Sequence, residues 1–200
     1  MHVAIALLMS GTMHFKNKKI DAIHIATHLG LEAIKLAHPL TPIMISPSTT
    51  LLLPSSKKPH AMDYFLKQIS HLPVIKSPLD MKKASHTITS HLKKRSLLIM
   101  IGDFLEEIDL TQLNKRHSLF LIIVRDSFEE DPYPLGEGDF SDLESSEQAS
   151  FYFGTKAVRA YKEKYQEHDA KLFSHLRKLG IPYQKVIDSN LHISKTKSNS

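Results

Sequence analysis

The chain has no cysteine and no tryptophan, and its 200 residues include only seven glycines. The absence of cysteine excludes disulfides, thiolate metal sites and cysteine nucleophiles, and it suits a reducing compartment, so the cytoplasm is the expected location. Long hydrophobic runs are missing too. No stretch reaches the roughly eighteen apolar residues of a membrane span. The apolar start, Val3 to Met9, ends after seven residues at a hydroxyl turn, too soon for a signal core. The few glycines form neither a phosphate-binding loop nor a dinucleotide fingerprint, and no G-x-S-x-G elbow is present.

What is there is 42% apolar, enough for one α/β domain with a real core and too little for two large ones. The expected domain covers residues 1–190, with the Ser/Lys-rich end Leu191 to Ser200 as a disordered tail. The net charge of +5 hides an asymmetry: residues 1–100 carry 13 Lys/Arg against four acids, and residues 101–200 carry 13 against 17. The lysines come in scattered pairs such as Lys18-Lys19 and Lys57-Lys58, without interleaved stacking aromatics. Nucleic acid is therefore not an expected partner. Thirteen histidines suggest a metal cluster, but His24 and His28, one helical turn apart, have no third ligand close in sequence.

Val3 to Met9, Ser96 to Ile101 and Leu119 to Val124 are continuous apolar runs bounded by turns, the pattern of strands buried on both faces. Thr41 to Ser46 and Tyr183 to Ile187 add two strands, and Thr50 to Leu53, closed by Pro54, suits an edge hairpin strand. Helices are expected from a cap at Asp21 to just before His38-Pro39, and over Pro59 to Ile69, Pro78 to Leu92, Glu106 to Leu113 and Thr155 to Leu179. Gly180 is the expected residue after the last of them. Asp126 to Glu147 holds nine acids and no Lys or Arg, so it reads as a loop, either a solvated connection or a docking surface for a basic partner. Strands alternating with helices predict a doubly wound, mostly parallel open α/β sheet in three Rossmann-like layers, with one antiparallel edge strand. The ligand crevice of such a sheet lies at the carboxyl ends of the strands, where the winding reverses.

If the first strand and the Ser96 strand flank that reversal, Ser10, Thr12 and Asp103 converge on it. Ser10 and Thr12 alternate as they leave a strand, so both hydroxyls can face one point, with Gly11 letting the backbone turn. Two hydroxyls, one carboxylate and water could hold a hard cation such as Mg²⁺, though with a single formal negative charge the affinity would be weak. The other reading is that Ser10 and Thr12 satisfy the turn backbone while Asp103 caps a helix starting near Leu105.

The order Ser10-Gly11-Thr12-Met13, Gly102-Asp103-Phe104-Leu105, Arg116-His117 before a strand, and Val124-Arg125-Asp126 with Glu129-Glu130-Asp131-Pro132, then Tyr161 on a long helix, resembles the von Willebrand factor A-like half of family 58 of the domains of unknown function. The resemblance spans nearly the whole chain. It implies a von Willebrand factor A-like fold and a metal-ion-dependent adhesion site of pattern Asp-x-Ser-x-Ser, with a distal Thr and a distal Asp. On this sequence the hydroxyls fall on Ser10 and Thr12, the distal Asp on Asp103, the distal Thr on Ser77, and the first Asp on Leu8. With leucine there the site is expected to be weakened or lost, binding Mg²⁺ or Mn²⁺ weakly or not at all, and Leu8→Asp would restore it. The function implied is a non-enzymatic protein-interaction or scaffold module, accessory to a MoxR-type AAA+ ATPase. The alternative is a metal-dependent hydrolase using the same crevice. Family members usually carry an amino-terminal portion before this half, often membrane-associated. The chain is thus expected to be a short form or a fragment, and any place at the membrane periphery would come through a partner or that portion.

Overall fold

A computed structural model of the chain describes residues 1–70, 77–141 and 148–187. The expected tail from Leu191 and the upper bound of the expected domain lie outside the described residues. Among the described residues six strands form the main sheet: β1 (Val3–Leu8), β2 (Leu40–Ile45), β3 (Thr50–Leu52), β4 (Leu97–Gly102), β5 (Ser118–Arg125) and, last of these in sequence, β8 (Tyr183–Ile187). Their order is β3-β2-β1-β4-β5-β8. All neighbours run parallel except β2 and β3, so the antiparallel strand stands at an edge as expected. The order runs outward from β1 in two directions, which puts the winding reversal between β1 and β4.

Period-two alternation shows why the central strands read as unbroken apolar runs. Val3, Ile5 and Leu7 of β1 enter one core with Ala22, Ile25 and Ala26 of helix α1 (Lys18–Lys35) and with Phe65 of α2 (His60–Ser70). Ala4, Ala6 and Leu8 enter the opposite core with Ala84 and Ile88 of α3 (Met81–His91), Leu113 of α4 (Thr111–Arg116), and Leu172 and Leu176 of α6 (Thr155–Leu179). Leu98 and Met100 of β4 face the second core and Ile99 and Ile101 the first, so both faces of the sheet are covered and three layers result. Among the described residues no helix is long and apolar enough to cross a membrane.

Four expectations need correction. Helix α3 starts at Met81 and leaves Pro78 outside it, because Asp80 caps the helix by accepting from the Lys83 N–H at 2.9 Å. Helix α1 starts at Lys18, ahead of Asp21, which sits in its first turn. Helix α4 begins at Thr111 and not near Glu106, because the acids before it bond elsewhere: Glu106 accepts from the Leu79 N–H at 3.1 Å and Asp109 from the Thr111 N–H at 2.9 Å. The acidic stretch from Asp126 is not one loop. It contains the short helix α5 (Ser127–Glu130) and strand β6 (Gly136–Ser141), which pairs antiparallel with β7 (Gln148–Phe153) in a separate two-stranded sheet. The aromatic-rich β7 sequence has the strand propensity that its glycine- and acid-rich partner lacks.

Candidate functional site

The carboxyl ends of β1 and β4 approach so closely that a side chain at Gly102 would press on Leu8. A Cβ there would stand 3.1 Å from both the Cβ and the carbonyl oxygen of Leu8. The residues just beyond these ends therefore meet. Ser10 Oγ donates to Asp103 Oδ1 at 3.1 Å, Thr12 Oγ1 donates to Asp103 Oδ2 at 2.5 Å, and the two hydroxyl oxygens are 2.8 Å apart. The 3-10 turn Gly11–His14 swings Thr12 back toward the crevice, and Ser10 makes no side-chain cap to it. Asp103 caps no helix near Leu105; none begins between it and Thr111. Ser77 is brought beside the same turn through its backbone, its carbonyl accepting from the Gly11 N–H at 2.9 Å. Phe104, next to Asp103, is held in the left-handed region at φ 50°, where its carbonyl meets His168 Nε2 at 2.7 Å.

A residue that sequence reasoning passed over completes the cluster. Lys18, 1% exposed, places its ammonium 3.0 Å from Asp103 Oδ2 and 2.6 Å from Glu129 Oε1. As the first residue of α1 it puts positive charge at the positive end of the helix dipole, an unfavourable position that the two carboxylates offset. Glu129 is itself fixed by a capping box: Asp126 accepts from the Phe128 N–H at 2.8 Å, and Glu129 Oε2 accepts from the Asp126 N–H at 3.1 Å. Asp126 and Glu129, three apart, are the signal in the sequence that could have placed α5. At the mouth, half-exposed Lys16 bonds Asp126 at 2.6 Å and lies 5.3 and 5.5 Å from the ring centres of Phe15 and Phe128. Tyr133, 61% exposed, stands edge-on to Phe128 at 5.2 Å.

The next carboxylate of α5 serves a second network. Glu130 accepts from Tyr165 Oη at 2.7 Å and pairs with Lys185 Nζ at 2.5 Å, while Asp169 pairs with Lys185 at 2.9 Å and with fully buried Arg125 at 2.8 Å. Burial, reinforced by the bond to Glu130, pushes the Tyr165 hydroxyl far above its ordinary pKa, so it stays a donor. Among the described residues no group of three or more His, Asp or Glu side chains could hold a metal ion, and His24 and His28 lie exposed on α1.

The family described as "Protein of unknown function DUF58" matches residues 1–171. The chain belongs to that family. Two solved structures share its fold. BatB from Bacteroides thetaiotaomicron aligns with a TM-score of 0.51 at 14% identity over 94% of this chain and 91% of that one. An aerotolerance-related membrane protein from Bacteroides fragilis aligns at 0.53, also at 14% identity, over 94% and 92%. No curated protein matches the sequence. The mostly parallel three-layer sheet of this DUF58 chain, with its one antiparallel edge strand, is the architecture that the resemblance to von Willebrand factor A-like domains implied.

That fold implies a divalent cation at the crevice, and the side chains present do not fit one. Leu8, where the first carboxylate belongs, is 3% exposed within the apolar core beside Ala4, Ala6 and Ile45. The remaining carboxylate, Asp103, already faces an ammonium on Oδ2 and hydroxyl donors on both oxygens. Two unit charges 4 Å apart at an effective dielectric near 20 interact by about 4 kcal/mol, so a dication beside Lys18 would meet roughly twice that in repulsion.

Proposed function

We propose that this DUF58 chain is a protein-interaction module whose contact face is the rim of the strand-end crevice, working as an accessory to a MoxR-type AAA+ ATPase. The observation that carries this reading is how the polar groups are used. The hydroxyls and carboxylates in the crevice are turned inward onto one another and Lys18, whereas the rim carries half-exposed Lys16, paired with Asp126 and lying over the Phe15 and Phe128 rings, with exposed Tyr133 beside them. A half-exposed cation set among aromatic faces is a common anchor composition for protein contacts. The acids beyond Asp126 would add charge steering toward a basic partner surface.

The test is association of the purified chain with the MoxR-type ATPase of the same cell, measured with and without the double substitution Lys16→Glu and Tyr133→Ala. The expected result is measurable binding that the double substitution weakens at least about tenfold, the loss of roughly 1.4 kcal/mol. No binding, or binding indifferent to both substitutions, overturns the reading. Turnover of phosphoester substrates by the purified chain would also overturn it, in favour of a hydrolase.

A further inference from the structure

We propose that the Lys18 ammonium takes the place of the divalent cation in this crevice, which makes it a metal-independent form of the adhesion-type site. The inference concerns the crevice named in the functional reading, but it needs no partner to be tested and stands or falls separately from the ATPase.

The argument is one of charge and geometry. A metal site of this kind gathers hydroxyl and carboxylate oxygens around a positive centre. Here Ser10, Thr12 and Asp103 are gathered, and the positive centre beside them is Nζ of Lys18. Its second carboxylate comes from a different strand end, Glu129 after β5, and not from β1. Position 8 can then be leucine without leaving the centre unbalanced, and Leu8 joins the core instead. A lysine of 1% exposure at the head of a helix has no surface role, and the helix dipole gives no reason for it to be there. The two oxygens it touches account for its burial, because an unpaired ammonium would not leave water. Since the ammonium is tied to the chain, the site is always filled. Leu8→Asp, which would restore metal binding if the missing carboxylate were the sole defect, is then insufficient while Lys18 remains.

The full chain and four variants, Lys18→Met, Leu8→Asp, the two combined, and Asp103→Asn, are titrated with Mn²⁺ while thermal unfolding and Mn²⁺ paramagnetic resonance are followed. The native chain and Leu8→Asp are expected to show less than about 1 °C of shift at millimolar Mn²⁺. Lys18→Met should melt lower without metal and recover on adding it, and the combined variant should recover more. A rise of about 3–6 °C corresponds to metal at tenfold its Kd in a chain of this size. Saturable Mn²⁺ binding by the native chain that Asp103→Asn abolishes overturns the proposal, as does a full metal response from Leu8→Asp alone or none from a folded Lys18→Met. Should Lys18→Met fail to fold, the native chain and Leu8→Asp still decide it.

Discussion

A buried ammonium holds a folded chain together only as long as its counter-charges stay in place. Lys18 has two of them, and each belongs to a different strand end: Asp103 follows β4 and Glu129 follows β5. Removing either leaves the other to balance a charge that water cannot reach. Asp103→Ala also strips Ser10 and Thr12 of their shared acceptor, leaving two hydroxyls in the crevice to find new partners. The expected cost is about 3 kcal/mol in chemical unfolding, at the lower end for a broken buried pair because Glu129 stays. A loss below about 1 kcal/mol would mean that the cluster adds little to the fold. At this scale the sequence was half legible. Ser10, Thr12 and Asp103 could be brought together from strand ends alone, since a period-two pattern fixes which side chains face the same way. Lys18 could not, because a lysine in a polar stretch looks solvated until its partners, 85 and 111 residues away in the chain, are known.

Helices α1 and α6 end in the same way with different residues. After α6, Gly180 is left-handed at φ 65°, with the Ile181 N–H bonded to the Leu176 carbonyl and the Gly180 N–H to that of Arg177. After α1, the His38 N–H bonds the Ala33 carbonyl and the Ala37 N–H that of Ile34, but the left-handed residue, at φ 57°, is Ala37. Both are Schellman motifs, and one lacks its glycine. Relief of about 1–2 kcal/mol of left-handed strain, less about 0.4–1 kcal/mol of added chain entropy, makes Ala37→Gly stabilising by roughly 0.5–1 kcal/mol. The same bookkeeping with its sign reversed applies to Gly180→Ala, where a Cβ would meet nothing within 4 Å and backbone conformation alone is at issue. Thermal unfolding of the pair should show Tm moving up for one and down for the other, by a few degrees each. The end of α6 was readable because Gly180 announces it; the end of α1 was readable only from His38-Pro39. Strands β1, β4 and β5 were legible almost to the residue because burial on both faces leaves long apolar runs. Helix α5 was not, since its capping acids, Asp126 and Glu129, read as part of a solvated loop.

Across the whole molecule the two ends of the main sheet hold their ionisable groups differently. At the carboxyl ends, lysines and carboxylates are paired. At the amino ends, His117 is 2% exposed, and neither ring nitrogen has a hydrogen-bond partner among the described residues. Burial, followed by the charges of Arg116, His2 and Arg95, lowers its pKa below the usual 6.5. His2, which bonds the Ser96 hydroxyl at 2.5 Å, is lowered by burial and then by Lys94 and the amino terminus. Both groups bind protons more readily in the unfolded chain, so the stability they contribute is complete above about pH 6.5 and is lost as pH falls below it. Tm should hold nearly steady from about pH 8 to pH 7 and drop progressively toward pH 5, and His117→Leu should flatten that drop. A native Tm that rises on acidification would contradict this account. The fold class and the single antiparallel edge were legible at this scale because they follow from element order. The pairing of β6 with β7 was not, since it joins two segments across a stretch whose composition carries no strand signal.

Consecutive residues of α5 turn their carboxylates in different directions, Glu129 to Lys18 at the start of the first helix and Glu130 to Lys185 in the last strand. A four-residue turn thus acts as a clasp between regions at opposite ends of the described chain. Neither the first helix nor the last strand can peel away alone without stripping α5 of a counter-charge, so the two regions should be lost in one cooperative event.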